Sequence, residues 1–462
     1  MLCCQKNTHF IFRLFPFLRT FLLLAILLSS IPFPSSLQAI TLSEGLEIVT
    51  SRSREVRVSM LEEEMTKEGI PIARSAWLPR VDLYSYQTML RYDPEATFGP
   101  FGPVQISERS FLTYGFRVNQ LLYDFGRTGS MIRGARYALK AKRLDTKRVR
   151  NLMALEFIDA YFELLKAKSL LDVASREVER LQAHLKDTSA MYEEGLITRN
   201  DLLQAEVMLA DARQKRIDAE NLYKLRQSRL NMLVLTDLNR PVEAEEVSWH
   251  PFTGYSLEDA WQSALLYRPE IRRIDREISI AKAELKATEA EFLPTLYLSG
   301  GYEYQENRFM VHEGNWSLLG GIKLNLFSGG QTRSRIRQKK ARLRALQLKK
   351  ERLMDSVKLE VKEAYLGLHS AKNRIKATRK AVQQAEENLR LQRLRYKEGV
   401  GTATDVTDAI ALLTRAETNY LSALYDSFRA EARLIYTMGL DLLQAYNPQG
   451  PARKEAMNGK GQ

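Results

Sequence analysis

The chain has 462 residues, a mean hydropathy of −0.32 and 27% charged residues, and Lys plus Arg outnumber Asp plus Glu by 69 to 56, a net charge of +13. A protein of many membrane-spanning helices needs repeated apolar runs of roughly 20 residues, and the one such run lies near the N-terminus. The 45% hydrophobic content excludes wholesale disorder.

Lys6, Arg13 and Arg19 precede an apolar core at residues 21–28, and Pro32, Pro34, Ser35 and Ser36 follow it. A basic end, an apolar core and a polar exit are the layout of a secretory signal peptide, read here as residues 1–39. Ala39 is the expected last residue; Leu37 is bulkier than the usual small residue, which leaves the cut open by a few positions. The alternative is an uncleaved anchor, for which the apolar core is short. Cys3 and Cys4 lie before the core, where they cannot carry a lipoprotein's lipid. Cleavage would leave a cysteine-free chain without disulfides, and would lower the net charge by three, to +10.

The remainder reads as a tandem repeat. Leu42 matches Leu257, and Leu78-Pro79 matches Leu293-Pro294, both at an offset of 215. Gly126 matches Gly330, Tyr192 matches Tyr396 and Asp201 matches Asp405, all at an offset of 204. The first half therefore carries a longer loop in its middle. A period this long indicates a duplicated domain rather than a solenoid. The expected organisation is repeat 1 at 40–238, a linker at 239–256, repeat 2 at 257–440 and a polar tail at 441–462.

Each repeat opens with a helical segment ending at its Leu-Pro, since proline stops a helix there. Two strands follow. Residues 111–122 alternate Leu112, Tyr114, Phe116, Val118 and Leu122 against Thr113, Gly115, Arg117 and Asn119. Residues 316–327 alternate Trp316, Leu318, Ile322, Leu324 and Leu326 against Ser317, Lys323 and Asn325. This is the period of a strand with one apolar face. Residues 81–90 and 295–305 are Tyr-rich strands with weaker alternation. Residues 90–110, with Pro94, Pro100, Pro103, Gly99 and Gly102, read as an irregular loop.

A very long helix comes next. Phe157, Ala160, Leu164, Ala167, Leu171, Ala174, Val178, Leu181, Leu185 and Tyr192 step by threes and fours, and Val361, Ala364, Leu368, Ala371, Ile375, Thr378, Val382, Ala385, Leu389 and Tyr396 repeat the pattern. Such a seam is that of a coiled coil, and a helix of this extent measures on the order of 100 Å. A return helix follows in each repeat. Four strands cannot close a membrane barrel, for which about eight is the minimum, and an open edge cannot sit in lipid. Strands that enter a membrane must then be pooled from several chains; a soluble four-stranded sheet on helices is the alternative.

These features resemble the TolC-like outer-membrane efflux channel family, over about residues 41–440. The resemblance rests on the two Leu-Pro junctions, on Tyr123-Asp124-Phe125-Gly126 and Phe327-Ser328-Gly329-Gly330 after the strands, and on a Tyr-x-x-Gly-x-x-Thr-x-x-Asp turn in each half. Arg268-Pro269-Glu270 looks like the family's helix start, and the first half has Ser53-Arg54-Glu55 there. The resemblance implies a mainly α chain with four transmembrane strands, three copies sharing a 12-stranded barrel, and a periplasmic helical tube. It implies an outer-membrane exit channel with no catalytic activity and no cofactor. Its partners would be a periplasmic adaptor, an inner-membrane pump of RND or ABC type, and outer-membrane lipids, with no role for nucleic acid. Small-molecule efflux is favoured; type I protein secretion, or a periplasmic coiled-coil scaffold without a pore, are the alternatives.

The tip turns at 193–199 and 397–402 join the long helices. Gly195 and Gly399 end one helix, and Thr198 with Asp201, and Thr402 with Asp405, form capping-box patterns at the next. Capping alone accounts for these residue types. The resemblance adds adaptor contact for Tyr192, Gly195, Leu196, Thr198, Asp201, Tyr396, Gly399, Val400 and Thr402, and a ring of acids at the constriction from Asp405 and Asp408. Gly401 stands where a known closed-state latch uses arginine, which argues against a latch of that type.

Cations crowd the starts of the long helices: Arg127, Arg133, Arg136, Lys140, Lys142 and Arg143 in one, Arg333, Arg335, Arg337, Lys339, Lys340, Arg342 and Arg344 in the other. They oppose the helix dipole, so local preference does not explain them. The expectation is contact with phospholipid phosphates, through Arg133, Arg136, Arg333, Arg335 and Arg337 above all; the alternative is a solvated or intersubunit-paired face. The histidines His9, His184, His250, His312 and His369 are scattered, the methionines do not cluster, and Gly329-Gly330 lacks the Gly-Lys-Ser/Thr of a phosphate loop.

Overall fold

The computed structural model describes residues 38–247 and 255–446. The expected signal peptide up to residue 37, part of the linker and residues 447–462 lie outside them. Strand β1 (Gln38–Ile40) leads into α1 (Leu42–Arg52), started by a Thr41–Glu44 capping box, and α2 (Arg54–Ser75). The helical segment expected to run to the first Leu-Pro is thus two helices. Ser53 breaks it in extended backbone, and its side chain accepts from Val56 N–H (3.3 Å) to cap α2.

Strand β2 (Arg80–Met89) follows, then a small ribbon of β3 (Glu95–Thr97) and β4 (Pro103–Gln105) inside the segment expected to be irregular. Strand β5 (Ser110–Tyr123) leads into α3 (Arg127–Glu193), and α4 (Arg199–Val234) returns from it. The linker is not plain coil: β6 (Val242–Ala244) pairs in parallel with β1. The second repeat supplies α5 (Leu257–Tyr267), α6 (Pro269–Glu289), β7 (Thr295–Gln305), β8 (Gly314–Lys323), α7 (Gln331–Lys397) and α8 (Ala403–Thr437). Pro269 occupies the first helical position of α6, where its missing N–H costs nothing. Beside it the buried Arg268 reaches Glu360 of α7 at 2.5 Å.

The polar tail expected from residue 441 begins instead with α9 (Leu442–Tyr446). Leu442 and Tyr446 are buried in the core near the middle of the molecule, and Asn151 fixes the helix through its bonds to Leu442 N–H and Leu440 C=O (3.0 and 2.9 Å). Phe157, Tyr161, Phe162, Leu46 and Leu230 share that core.

α3 and α7 have 67 residues each, so both run about 100 Å. α3 packs on α2 and α6 near the sheet, and on α4 and α8 further along; α7 packs on α6 and α8. The four long strands form one antiparallel sheet in the order β2-β5-β7-β8. Its register aligns Leu83, Phe116, Tyr302 and Trp316 across one face. Neither β2 nor β8 has a second neighbour, so both edges are open.

β8 is shorter than the alternation at 316–327 predicts. It stops at Lys323, opposite Thr295, where β7 begins. Leu324, Leu326 and Phe327 are left 47%, 88% and 85% exposed. The equivalent end of β5 is strand because β7 pairs with it.

Candidate functional site at the helical tip and along the sheet

Both tip turns are built the same way. Gly195 and Gly399 adopt φ of +75° and +73°, the left-handed conformation that closes a helix at its C-terminus. Leu196 N–H then reaches Met191 C=O (2.9 Å), and Val400 N–H reaches Arg395 C=O (3.0 Å). Thr198 and Thr402 start the return helices with reciprocal capping boxes to Asp201 and Asp405. Thr402 donates its backbone N–H (3.0 Å) and hydroxyl (2.8 Å) to Asp405, and these bonds hold that carboxyl below the usual aspartate range. Asp408 is exposed, one turn further along α8. Its repeat-1 counterpart is Gln204, whose Oε1 accepts from Thr404 (3.3 Å). Acid is thus present twice at the capping position and once at the position beyond it.

The two tyrosines that match in sequence part company in space. Tyr192 is 38% exposed, whereas Tyr396 is 4% exposed and its hydroxyl meets Thr188 Oγ1 at 3.4 Å. The ring of His184 stands 5.4 Å from that of Tyr396. His184 is buried, its Nε2 has no hydrogen-bond partner, and burial holds its imidazole below the ordinary histidine range. The matching of Tyr192 with Tyr396 concealed this cluster, although His184 and Thr188 follow Leu181 at seam spacing. Leu196 and Val400 are each 67% exposed at the turns.

Gly401 has a structural reason of its own. A methyl group there would lie 3.1 Å from Tyr396 N and 3.2 Å from Arg395, so a longer side chain presses on the last turn of α7. Asp201 is engaged by Thr198, and Tyr396 by Thr188.

Along the sheet, the face opposite Leu83, Phe116 and Trp316 gathers polar groups. The Tyr84 hydroxyl donates to Glu303 (2.7 Å), Arg117 lies 3.9 Å from the same carboxylate and 5.3 Å from the Tyr84 ring centre, and Ser299 donates to Asn119 (2.8 Å). Sequence alternation gave Arg117 its face but not these partners, which come from β2 and β7. Among the described residues no group of three or more His, Cys, Asp or Glu could hold a metal ion, and no helix is long and apolar enough to cross a membrane.

A sheet with one apolar and one polar face, continued by helices of about 100 Å, defines a membrane-inserted β part joined to a helical conduit. The profile of the outer membrane efflux protein family matches residues 46–234 and 260–440, and the chain belongs to that family. It is an outer-membrane exit channel with a large periplasmic helical portion. It is 24% identical over 395 residues to outer membrane efflux protein BepC of Brucella suis, covering 83% of each chain. It is 23% identical to the alkaline protease secretion protein AprF of Pseudomonas aeruginosa, covering 87% of this chain and 85% of that one. The fold is shared with the outer membrane protein VceC of Vibrio cholerae, at a TM-score of 0.74 and 19% identity, over 87% of this chain and 96% of that one. It is shared too with the MtrE channel of Neisseria gonorrhoeae, at a TM-score of 0.69 and 22% identity, over 87% and 89%.

Proposed function

We propose that three copies of this chain close one 12-stranded barrel and form the outer-membrane exit of a tripartite export system. Small molecules would pass from an inner-membrane pump, of RND or ABC type, through a periplasmic adaptor and the helical tube to the exterior. The observation that carries this reading is the four-stranded sheet with open edges at β2 and β8. In lipid those edge groups need partners, and a ring of copies supplies them without leaving an edge.

The internal duplication supports a specific closure. Inside the chain, repeat 1 meets repeat 2 through β5 and β7, with Val118 opposite Gly300 and Gln120 opposite Leu298. Shifting each partner by its repeat offset puts Ile322 opposite Ser85 of the next copy, and Leu324 opposite Leu83. This contact gives residues 324–327 the neighbour that a single chain lacks.

At the far end, the tip turns would meet the adaptor through Tyr192, Leu196, Val400 and the capped helix starts. Asp405 and Asp408, repeated three times about the axis, would favour cations at the constriction. A protein-secretion system would use the same pore, and AprF is by its name a protease secretion protein.

The test joins two measurements. Ile322→Cys combined with Ser85→Cys is expected to give a disulfide-linked trimer on a non-reducing gel, while each single variant gives none. The purified trimer is expected to conduct in planar bilayers; absence of conductance rejects the channel reading. Asp405→Asn with Asp408→Asn is expected to lower cation preference, and unchanged selectivity rejects the acid ring.

A further inference from the structure

The cations at the starts of α3 and α7 divide into two sets. In one, Arg127 and Arg335 lie 3.8 and 3.3 Å from Glu291, and Lys339 and Arg342 share Glu284 at 2.7 Å. Lys142 and Arg143 reach Glu62 and Glu63 at 2.5 and 3.1 Å. In the other set, Arg133, Arg136 and Lys140 on α3, and Arg333, Arg337, Lys340 and Arg344 on α7, are all exposed. Among the described residues none of these seven has a carboxylate within ion-pair distance.

Helical periodicity explains the division. Steps of three and four place 133, 136 and 140 in one stripe, and 333, 337, 340 and 344 in another. At about 100° per residue, Arg335, Lys339 and Arg342 fall on the opposite side of α7. The carboxylate-free stripe is duplicated: Arg133 matches Arg337, Arg136 matches Lys340 and Lys140 matches Arg344, each at the repeat offset of 204.

The stripe continues the apolar face of the sheet. Gln120 lies two residues beyond Val118 on that face, and its side chain donates to the Trp77 carbonyl at 2.7 Å. A methyl group on Gly129 would lie 3.7 Å from both Trp77 Cζ2 and Arg133 Nη1, so indole and guanidinium sit side by side over α3. Apolar strands, then an aromatic ring, then cations, is the order of groups met on leaving a bilayer core.

We propose that these two stripes bind the phosphate groups of anionic phospholipids in the periplasmic leaflet of the outer membrane. The inference rests on the sheet being the membrane-crossing part. Arg335, which sequence reasoning grouped with the lipid-facing residues, is outside the stripe because Glu291 holds it. The surface potential fades within a Debye length of about 8 Å, so Arg133, Arg333 and Arg337 contribute most, and Lys140 and Arg344 least. Each cation near the surface is worth roughly fivefold in affinity.

The test uses the full-length protein, purified in detergent and exchanged into vesicles of phosphatidylethanolamine with phosphatidylglycerol. Retained lipid is measured by mass spectrometry for wild type, for Arg133→Gln/Arg136→Gln/Arg333→Gln/Arg337→Gln, and for Lys376→Gln/Arg379→Gln/Lys380→Gln, whose exposed cations lie far down α7. Phosphatidylglycerol retention is expected to fall by about tenfold or more in the stripe variant. It stays at the wild-type level in the control. Equal retention in wild type and stripe variant, or equal losses in both variants, overturns the inference. Displacement of the lipid by millimolar inorganic phosphate would assign the stripe to free phosphate and overturn the lipid reading. Conductance, recorded in parallel, separates the two claims: a conducting stripe variant with unchanged lipid retention rejects the lipid site alone.

Discussion

Ile410 on α8 is fully buried, whereas Glu206, at the matching place on α4, is exposed. The two return helices share their repeat position, their capping box and the apolar residues Leu209 and Leu413, yet their surroundings differ. α8 packs along both α3 and α7, and Leu412 is the large apolar side chain it leaves exposed among its described residues. α4 packs mainly on α3 and leaves Leu203, Val207, Ile217 and Leu225 at 47%, 67%, 53% and 63% exposure. One repeat's return helix is interior to the chain and the other's is a flank. The apolar surface of the flank, like the open edges of the sheet, lies where the proposed trimer would place its next copy.

The most severe way to break this contrast is a charge on each helix. Ile410→Asp buries a carboxylate without a partner and is expected to cost at least ~4 kcal/mol, unfolding the tip. Val207→Asp is expected to leave the folding of the single chain within ~0.5 kcal/mol while weakening the proposed trimer. Similar thermal unfolding of the two variants would show that both helices are equally interior.

The paired tyrosines give the next largest effect. Tyr396→Ala empties the site beside His184 and Thr188, at about 3–5 kcal/mol, the range for a buried aromatic. Tyr192→Ala is expected to cost under ~1 kcal/mol in denaturant melts. Equal losses would restore the symmetry that the sequence suggests.

The caps come third, and here the repeats should agree. Thr198→Ala and Thr402→Ala are each expected to cost about 1 kcal/mol. Asp405 has its folded pKa lowered, so its contribution is present above the ordinary aspartate value of 3.8 and is lost as pH falls through the lowered one. Thr402→Ala removes the hydroxyl bond and keeps the backbone N–H, so the Asp405 titration, followed by carboxyl NMR shifts, should move part of the way back toward the ordinary value. A titration that does not move would remove capping as its cause.

The smallest effect concerns His184, which Asn388 replaces in the second repeat. Its folded pKa lies below the ordinary 6.5, so the unfolded chain takes up the proton first, and stability falls as pH drops below 6.5. His184→Phe should flatten that decline in melts between pH 7 and 5. An unchanged slope would assign it elsewhere.

The repeat, the long helices, the capped tips and the apolar strand face were legible because each rests on local periodicity or a short turn motif. Residues 316–327 show the limit. The alternation through Leu326 is a true strand pattern, but a strand needs a neighbour, and β7 ends its pairing at Lys323. The run of seven cations on α7 shows another: composition gathered them, and the fold paired Arg335 with Glu291, in the turn after α6, while leaving Arg337 without a carboxylate. The five residues of α9 carry too little periodicity to announce a docked helix.

By itself the sequence determined which segments repeat, which strand face is apolar and where the long helices turn at the tip, because these follow from side-chain spacing along one element or from a short turn motif. Tertiary structure decided what equivalent residues become. It buried Tyr396 and exposed Tyr192, neutralised one stripe of cations and left the other free, and made α8 interior and α4 a flank. The physical reason is that duplicating a chain duplicates its local preferences but not its neighbours: in a linear chain repeat 1 meets repeat 2 on one side only, and their outer sides are left for another molecule.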